Sequence, residues 1–332
     1  MMSEKAEFLL ETLTPVHIGS GDVFSQIDYF YENGYFNICD FQRALNDALN
    51  KVTDMDSFMK KCKGIISNKD NNFDVFAKEF NIDKNKYVLF KIKGEKQNTN
   101  IKTFIRHSNN KIYIPGSSIK GSIRTSIYLK ENNILENLKK LKNKDQLKFL
   151  KDEITFLNKE KNLMVEDVEG DFSSKVMRIE RIGMGSMDSA EFVEINKSEQ
   201  KTVKIRKIKN LEIEDIINYV NDFYFNSLNA IIEMDALKNQ QKIKENLLKI
   251  RNQIENSIKN YEKTMYLNIG FGGGYFNKSF GYYLIQIHRD KDLFVLRRNL
   301  KFGMRKIVKR PFPKTFAHVM NNQPGWVKLT LI

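Results

Sequence analysis

Two cysteines, Cys39 and Cys62, are all that 332 residues contain. No disulfide framework can hold this fold together, and the pattern fits a reducing compartment. Five prolines and 17 glycines are too few for a collagen-like or Pro/Gly-rich flexible chain. No stretch approaches the ~20 consecutive apolar residues that a membrane helix needs. Glu4, Glu7 and Glu11 fall in MMSEKAEFLLETLTP, where an export signal would carry an apolar run, so the expectation is a cytoplasmic chain with no membrane partner. Of the four histidines, His17 stands beside a glycine loop and is followed by Asp22, while His107, His288 and His318 are scattered without an obvious companion. There is no HxxxH, no CxxC and no tight group of acids with histidine, so neither a metal nor any other cofactor is expected.

What is present is the composition of a folded protein, with 41% hydrophobic and 29% charged residues. The formal charge is +14, but the chain is rich in Lys, Asn and Ile, so the sum says less than the distribution. After Asp292 no carboxylate follows, and the last forty residues carry nine cations, among them Arg305, Lys306, Lys309 and Arg310. Pro311 and Pro313 interrupt any helix there. An irregular, acid-free basic segment suits RNA, or else an acidic surface on a neighbouring protein.

Periodicity predicts a strand over residues 5–14, then a loop TPVHIGSG, then a hairpin turning at Asn33-Gly34. Asp40 is placed to cap a helix, and helical insertions are expected at about 41–82, 131–162 and 210–263. In the last of these, Ile243, Leu247, Ile250, Ile254, Ile258 and Tyr261 recur by threes and fours and predict one buried stripe. Short strands near both termini with helices between them predict an α+β fold in one body spanning 1–332.

Three glycine-bearing segments carry most of the functional information. In the first, Gly19 and Gly21 flank Ser20, and such a turn lets backbone amides approach a ligand oxygen. The second, IPGSSIKGSIRTS, has the Gly116–Gly121 spacing of a P-loop, but Ser122 stands where the lysine belongs, which excludes a nucleotide-triphosphate site. What remains is a helix start presenting N–H groups, with Ser117 or Ser118 as cap, Lys120 and Arg124 on one face, and Ile119, Ile123 and Ile127 as an apolar stripe. Gly121 inside that helix costs about 1 kcal/mol relative to alanine, which implies that a phosphate or another backbone packs close. The third, NIGFGGG, places Gly270, Gly272, Gly273 and Gly274 at the end of a strand.

TPVHIGSG, IPGSSIKGSIRTS, GFGGG and the C-terminal PGWVKL, in that order across the whole chain, resemble the RAMP superfamily of CRISPR-associated proteins. Within it, they look most like the Csm five family of type III-A interference complexes. One departure is Phe316 in PFPKTF, where the family pattern would have a basic residue. The resemblance implies a modified ferredoxin-like (RRM-like) core with Cas7-like elaborations. It further implies RNA contact by the glycine-rich loop at Gly270 to Gly274. Its implied partners are CRISPR RNA, held near its 3′ end, and the backbone-forming subunit of the complex. CRISPR RNA maturation would be aided through host nucleases, without cutting by this chain.

Two other readings stay open on the residues. An endoribonuclease would use His17, or the carboxylate of Asp22 beside the glycine turn, and would need a base, an orienting group and hydrogen-bond reach between them. A purely structural assembly subunit would have no RNA affinity of its own, against which the acid-free C-terminal segment argues.

Overall fold

The computed structural model describes residues 5–67, 72–97, 99–131, 163–183, 187–206, 211–273, 277 and 316–332. Alternation in KAEFLLET forms β1 (Lys5–Thr12) and buries Phe8 and Leu10 on one face. The chain continues as β2 (Gly19–Phe24), β3 (Tyr29–Glu32) and β4 (Tyr35–Cys39). The β3–β4 turn is at Asn33-Gly34, with φ of 51° and 83°, the positive pair that a two-residue hairpin requires. Asp40 accepts the Arg43 N–H at 2.9 Å and opens α1 (Phe41–Leu49), followed by α2 (Met55–Ser67) and α3 (Phe73–Glu79). Then come β5 (Val88–Gly94), β6 (Ile101–Phe104), α4 (Gly116–Glu131), β7 (Met164–Val165), β8 (Ser174–Ile182), β9 (Met187–Val193) and β10 (Lys201–Arg206). The last described elements are α5 (Ile213–Ile232), α6 (Gln241–Lys259), β11 (Thr264–Asn268), β12 (Phe316–His318) and β13 (Trp326–Leu331).

One sheet runs β11-β13-β1-β10-β7 with every pairing antiparallel. The paths β1–α4–β7 and β10–α5–α6–β13 therefore each join two parallel strands with a foreign strand between them. Interleaved in this way, β13-β1-β10-β7 is the strand order of a ferredoxin-like domain, and β11 is an added fifth strand. The core behind it joins Phe8 and Leu10 to Ile119, Ile123 and Ile127 of α4, and to the buried faces of α5 and α6.

The second sheet runs β2-β6-β9-β8-β5-β4-β3, with β12 beside β8. Helices α1–α3 close over Phe30 and Cys39 and bury Phe58, Cys62, Phe73 and Phe76 with them. Burial there pushes the Cys39 thiol up to about 12, with Asp28 adding to the shift, so it is a packing residue and no nucleophile.

Four local expectations need correction. Gly19–Gly21 is not loop: it opens β2, which pairs with β6 across a register shift between Gly19 and Val23. Neither Ser117 nor Ser118 caps α4, because the helix already begins at Gly116 and holds both in its first turn, while Asp167 Oδ1 accepts the Gly116 N–H at 2.7 Å. The apolar stripe of α6 buries Ile243, Leu247, Ile250 and Ile254 but ends before Tyr261, which is 90% exposed beyond the helix with φ 53°. Phe316 is buried on β12 opposite Ile182, which is why a basic residue does not occupy it. The 131–162 insertion, apart from the end of α4 at residue 131, lies outside the described residues.

Candidate nucleic-acid interface

The first, third and C-terminal motifs are sewn together by main chain. Phe271 N–H donates to the His17 carbonyl at 2.7 Å, Gly325 N–H to the Pro15 carbonyl at 2.9 Å, and Ile269 N–H to the Gly325 carbonyl at 2.8 Å. These contacts account for three glycines. Gly270, at φ 68°, lies against the His17 carbonyl, and Gly325, at φ 97°, lies against the Ile269 carbonyl. Gly272, at φ 92°, lies against the Pro324 ring, and a Cβ at any of the three would collide. The central motif joins through the Ser122 hydroxyl, which donates to the Asn268 carbonyl at 2.8 Å.

Where they meet, a cavity of about 400 Å³ opens to solvent. Gly19 lines it from the first motif; Ser117, Ser118, Gly121, Ser122 and Thr125 from the second; and Asn268, Gly270 and Phe271 from the third, with Ile18 and Asn277 completing the wall. Among the described residues no charged side chain belongs to this lining. Nothing lies within 4 Å of a Cβ built at Gly121. The expected close neighbour is thus absent among the described residues, and the glycine faces the open cavity. Asn268 is buried, donates from Nδ2 to the Pro324 carbonyl at 3.1 Å, and leaves its Oδ1 without a partner. Asn277 is held by Ser227, whose hydroxyl donates to Asn277 Oδ1 at 2.5 Å.

The remaining predicted residues fall outside the lining. Ser20 Oγ lies 2.5 Å from Thr103 Oγ1 and accepts the Asp22 N–H at 3.0 Å, which fixes the exposed strand start. Gly21 faces open space at φ 98°. Lys120 and Arg124 share α4 with the cavity residues, half-buried, without bordering the cavity. Gln323 Nε2 donates to the carbonyls of Gly272 and Gly273 at 3.4 and 3.3 Å and pins that turn from behind. Gly274, Arg305, Lys306, Lys309 and Arg310 lie outside the described residues. Asn268, Asn277, Phe271 and Asp167 were missed as site residues. Asn268 and Phe271 stand within the glycine-rich segment itself, whereas no local signal marks Asp167, 51 residues from its partner.

His17 is buried among Phe104, Phe192 and Phe271, with ring centroids 6.1, 5.6 and 6.0 Å away. Its Nδ1 lies 2.7 Å from the Glu191 carbonyl, which can only accept, so Nδ1 carries the proton. Burial holds its pKa below the usual histidine value, the Glu191 carbonyl pulls it partly back, and the nearby Lys102 charge lowers it again. The other described histidines do have companions: His107 sits 2.9 Å from Glu169 and stacks on Tyr113, and His318 sits 3.6 Å from Glu180. Burial lowers the His318 pKa as well. Among the described residues no three His, Cys, Asp or Glu side chains group as metal ligands, and no helix is long and apolar enough to cross a membrane.

The depressed His17 pKa has a defined sign. The folded state binds this proton less readily than the unfolded chain, so its stabilising effect is full above about pH 6.5 and is lost as pH falls through the folded pKa. Unfolding free energy should therefore fall on acidification below about pH 6.5, by up to about 1.4 kcal/mol per pH unit for this one proton. His17→Leu should flatten that slope in urea titrations at stepped pH. An unchanged slope would mean that His17 does not titrate on unfolding.

Comparison with known proteins gives the family. A model of the RAMP superfamily matches residues 9–277. The chain is 30% identical over 389 aligned residues to "CRISPR system Cms protein Csm5" of Methanocaldococcus jannaschii, covering 98% of this chain and 89% of that protein. It is 29% identical to the Csm5 of Streptococcus thermophilus over 129 residues, 35% of this chain and 36% of that one. Among solved structures, a chain of a type III-A Csm-crRNA-target RNA ternary complex shares the fold, with TM-score 0.69 and 19% identity over 98% of this chain and all of that one. T. onnurineus Csm5 gives a TM-score of 0.56 at 16% identity over 96% and 99% of the two chains. With the family model spanning most of its length and a full-length relative at this identity, the chain belongs to the RAMP superfamily and, within it, to the Csm5 family.

Proposed function

We propose that this chain is the subunit of a type III-A CRISPR interference complex that holds the ribose-phosphate backbone near the 3′ end of CRISPR RNA, and that it does no cutting. The observation that carries this is the convergence of three motifs, distant in sequence, on one open cavity. Beside Ile18 and Phe271, its walls present hydroxyls, amides and glycine backbone, groups that hydrogen-bond ribose and phosphate oxygens without reading a base sequence. Relatives named Csm5, and a fold shared with a chain of a Csm-crRNA-target RNA complex, support CRISPR RNA and other subunits of such a complex as partners, among which this reading takes the backbone-forming subunit as the neighbour. Maturation of the RNA would then fall to host nucleases. Lys120, Arg124, Arg305, Lys306, Lys309 and Arg310 extend the grip to more phosphates in this reading. Against the endoribonuclease, His17 is buried with its Nδ1 proton committed to a carbonyl. The Asp22 carboxylate, for its part, has no hydrogen bond to orient it among the described residues.

Gly121 separates binding from folding. A Cβ there meets nothing within 4 Å among the described residues, and replacing a mid-helix glycine by leucine favours the helix by up to about 1 kcal/mol. Gly121→Leu should melt no lower than the parent yet fill the cavity, and its affinity for a single-stranded oligouridylate should drop at least about tenfold, equivalent to about 1.4 kcal/mol. The parent should bind that RNA and leave it intact with and without magnesium. Cleavage by the parent, or undiminished binding by Gly121→Leu, would overturn this reading.

A further inference from the structure

We infer that a second stretch of single-stranded RNA lies across the exposed face of the larger sheet where β4, β5 and β8 meet, gripped by Lys91, Lys93 and Lys175 beside Tyr35. The strand registers set this face. Tyr35 stands directly opposite Lys93, Asn37 opposite Lys91, and Lys93 opposite Lys175 on the parallel neighbour β8. Side chains opposite one another project from the same side of a sheet, so Tyr35 and the three lysines share one face. All three lysines are exposed, and Tyr35 is 41% exposed.

That face is covered on both sides of the patch and open between. On β3 and β4, Phe30 and Cys39 lie beneath α1–α3. On β8 and β9, Met177, Ile179 and Ala190 lie beneath Val319 and Phe271. The lysines occupy the uncovered strip. Like charges placed directly opposite work against strand pairing, yet Lys93 and Lys175 are placed so. Lys91 and Lys93 have no ion-pair partner among the described residues. Lys175 has only Glu194, 3.8 Å away, with both side chains about half exposed. On the β3 side, Glu32 stands opposite Tyr35 and is already engaged by Lys84 at 3.2 Å. Two cations without an ion-pair partner among the described residues, a third in one exposed pair, and a half-exposed aromatic ring match the chemistry of a single strand: phosphates for the ammonium groups and a base to stack on the phenol ring. No signal in the sequence marks this site, since β4, β5 and β8 are brought together only by the sheet.

The inference rests on the RNA-holding reading, and the experiment keeps the two apart. In the full chain, Lys91→Gln, Lys93→Gln and Lys175→Gln combined should fold as the parent does, because the changes relieve repulsion at exposed positions. Binding of a single-stranded oligouridylate long enough to leave the cavity should weaken about tenfold. The slope of log K against log salt should become shallower by about 2, at roughly 0.7 per lost phosphate contact. Tyr35→Ala should weaken binding further and Tyr35→Phe should not, and 4-thiouridine in the RNA should crosslink to Tyr35. If the triple variant binds with parental affinity and slope while Gly121→Leu does not, the cavity alone holds RNA and this inference fails by itself. Parental RNA binding by a triple variant that cannot join the assembled complex would make the patch a protein interface, and would equally overturn it. A parent chain without RNA affinity would remove both readings.

Discussion

Glu191→Ala is expected to lower the unfolding free energy by about 3–5 kcal/mol, the cost of leaving a buried charge without its partner. Glu191 is fully buried on β9 and accepts hydrogen bonds from Arg106 Nη2 and Ser174 Oγ, each at 2.5 Å, and from the Phe104 N–H at 3.1 Å. Its own carbonyl accepts from His17. One residue thus ties β6, β8 and β9 to the segment that leads into the cavity. Without it, the Arg106 guanidinium stays stacked 4.2 Å over Phe90, with Nε and Nη1 already unpartnered. Burial pushes the Glu191 carboxyl up and the Arg106 guanidinium down, while their contact pulls each back. A raised carboxyl pKa means that the folded state holds this proton more tightly than the unfolded chain. Its contribution is therefore fully present below about pH 4.3 and declines as pH rises. Acid sensitivity comes instead from groups whose pKa the fold lowers, His17 and His318 by burial, and Asp74 and Asp188 by their lysine partners. Glu191→Leu with Arg106→Met should recover most of the loss, since apolar replacement of a whole buried pair is often neutral. A loss below about 1 kcal/mol for Glu191→Ala in urea unfolding would show that the pair does not hold these strands together.

The second large effect is expected at Trp326, the tryptophan of the C-terminal motif. Trp326→Ala should destabilise by about 3–5 kcal/mol through the void it leaves. The ring is fully buried, edge-on to Tyr224 at 5.5 Å, and its Nε1 donates to Gln323 Oε1 at 2.9 Å. Its backbone N–H donates to Thr14 Oγ1 at 2.9 Å, and its carbonyl accepts from Leu13 at 2.9 Å. Since Gln323 also pins Gly272 and Gly273, loss of the ring should loosen the cavity wall and weaken RNA binding together with stability. Gly121→Leu should weaken binding alone. Trp326→Phe keeps most of the volume and should cost much less. Equal thermal midpoints for Trp326→Ala and the parent would remove the motif from the core.

The glycines illustrate what local sequence can and cannot say. Gly270, Gly272 and Gly325 stand out in the sequence, but the reason each is glycine is a carbonyl or ring from a segment far away in the chain. Gly121 stands out equally, and there no described residue comes within 4 Å of a Cβ. A glycine reports that a Cβ is unwelcome or unnecessary, and only the fold says which. The helix start at Gly116 follows the same logic. Nearby serines were the local candidates for the cap, yet a carboxylate beyond the α4 insertion took the N–H, because the bridge between Ile114 and Val168 delivers Asp167 there. The histidines looked solitary for the same reason: Glu169 and Glu180 reach His107 and His318 only through tertiary contact.

The sequence by itself determined the elements whose causes are local. Asn33-Gly34 specifies a hairpin because both residues accept positive φ. Asp40 specifies a helix start, and period-2 and period-3.6 patterns specify which faces of β1, α4 and α6 are buried. It also carried, in the order of four motifs, the resemblance by which the family was recognised. Only the tertiary structure decided that these motifs share one cavity, that Asn268 and Phe271 belong to it, and that Tyr35, Lys93 and Lys175 form one row. Those facts depend on strand order and register, and hydrogen bonds between strands set both, joining residues tens to hundreds of positions apart. The pattern along a single segment holds no record of its neighbour.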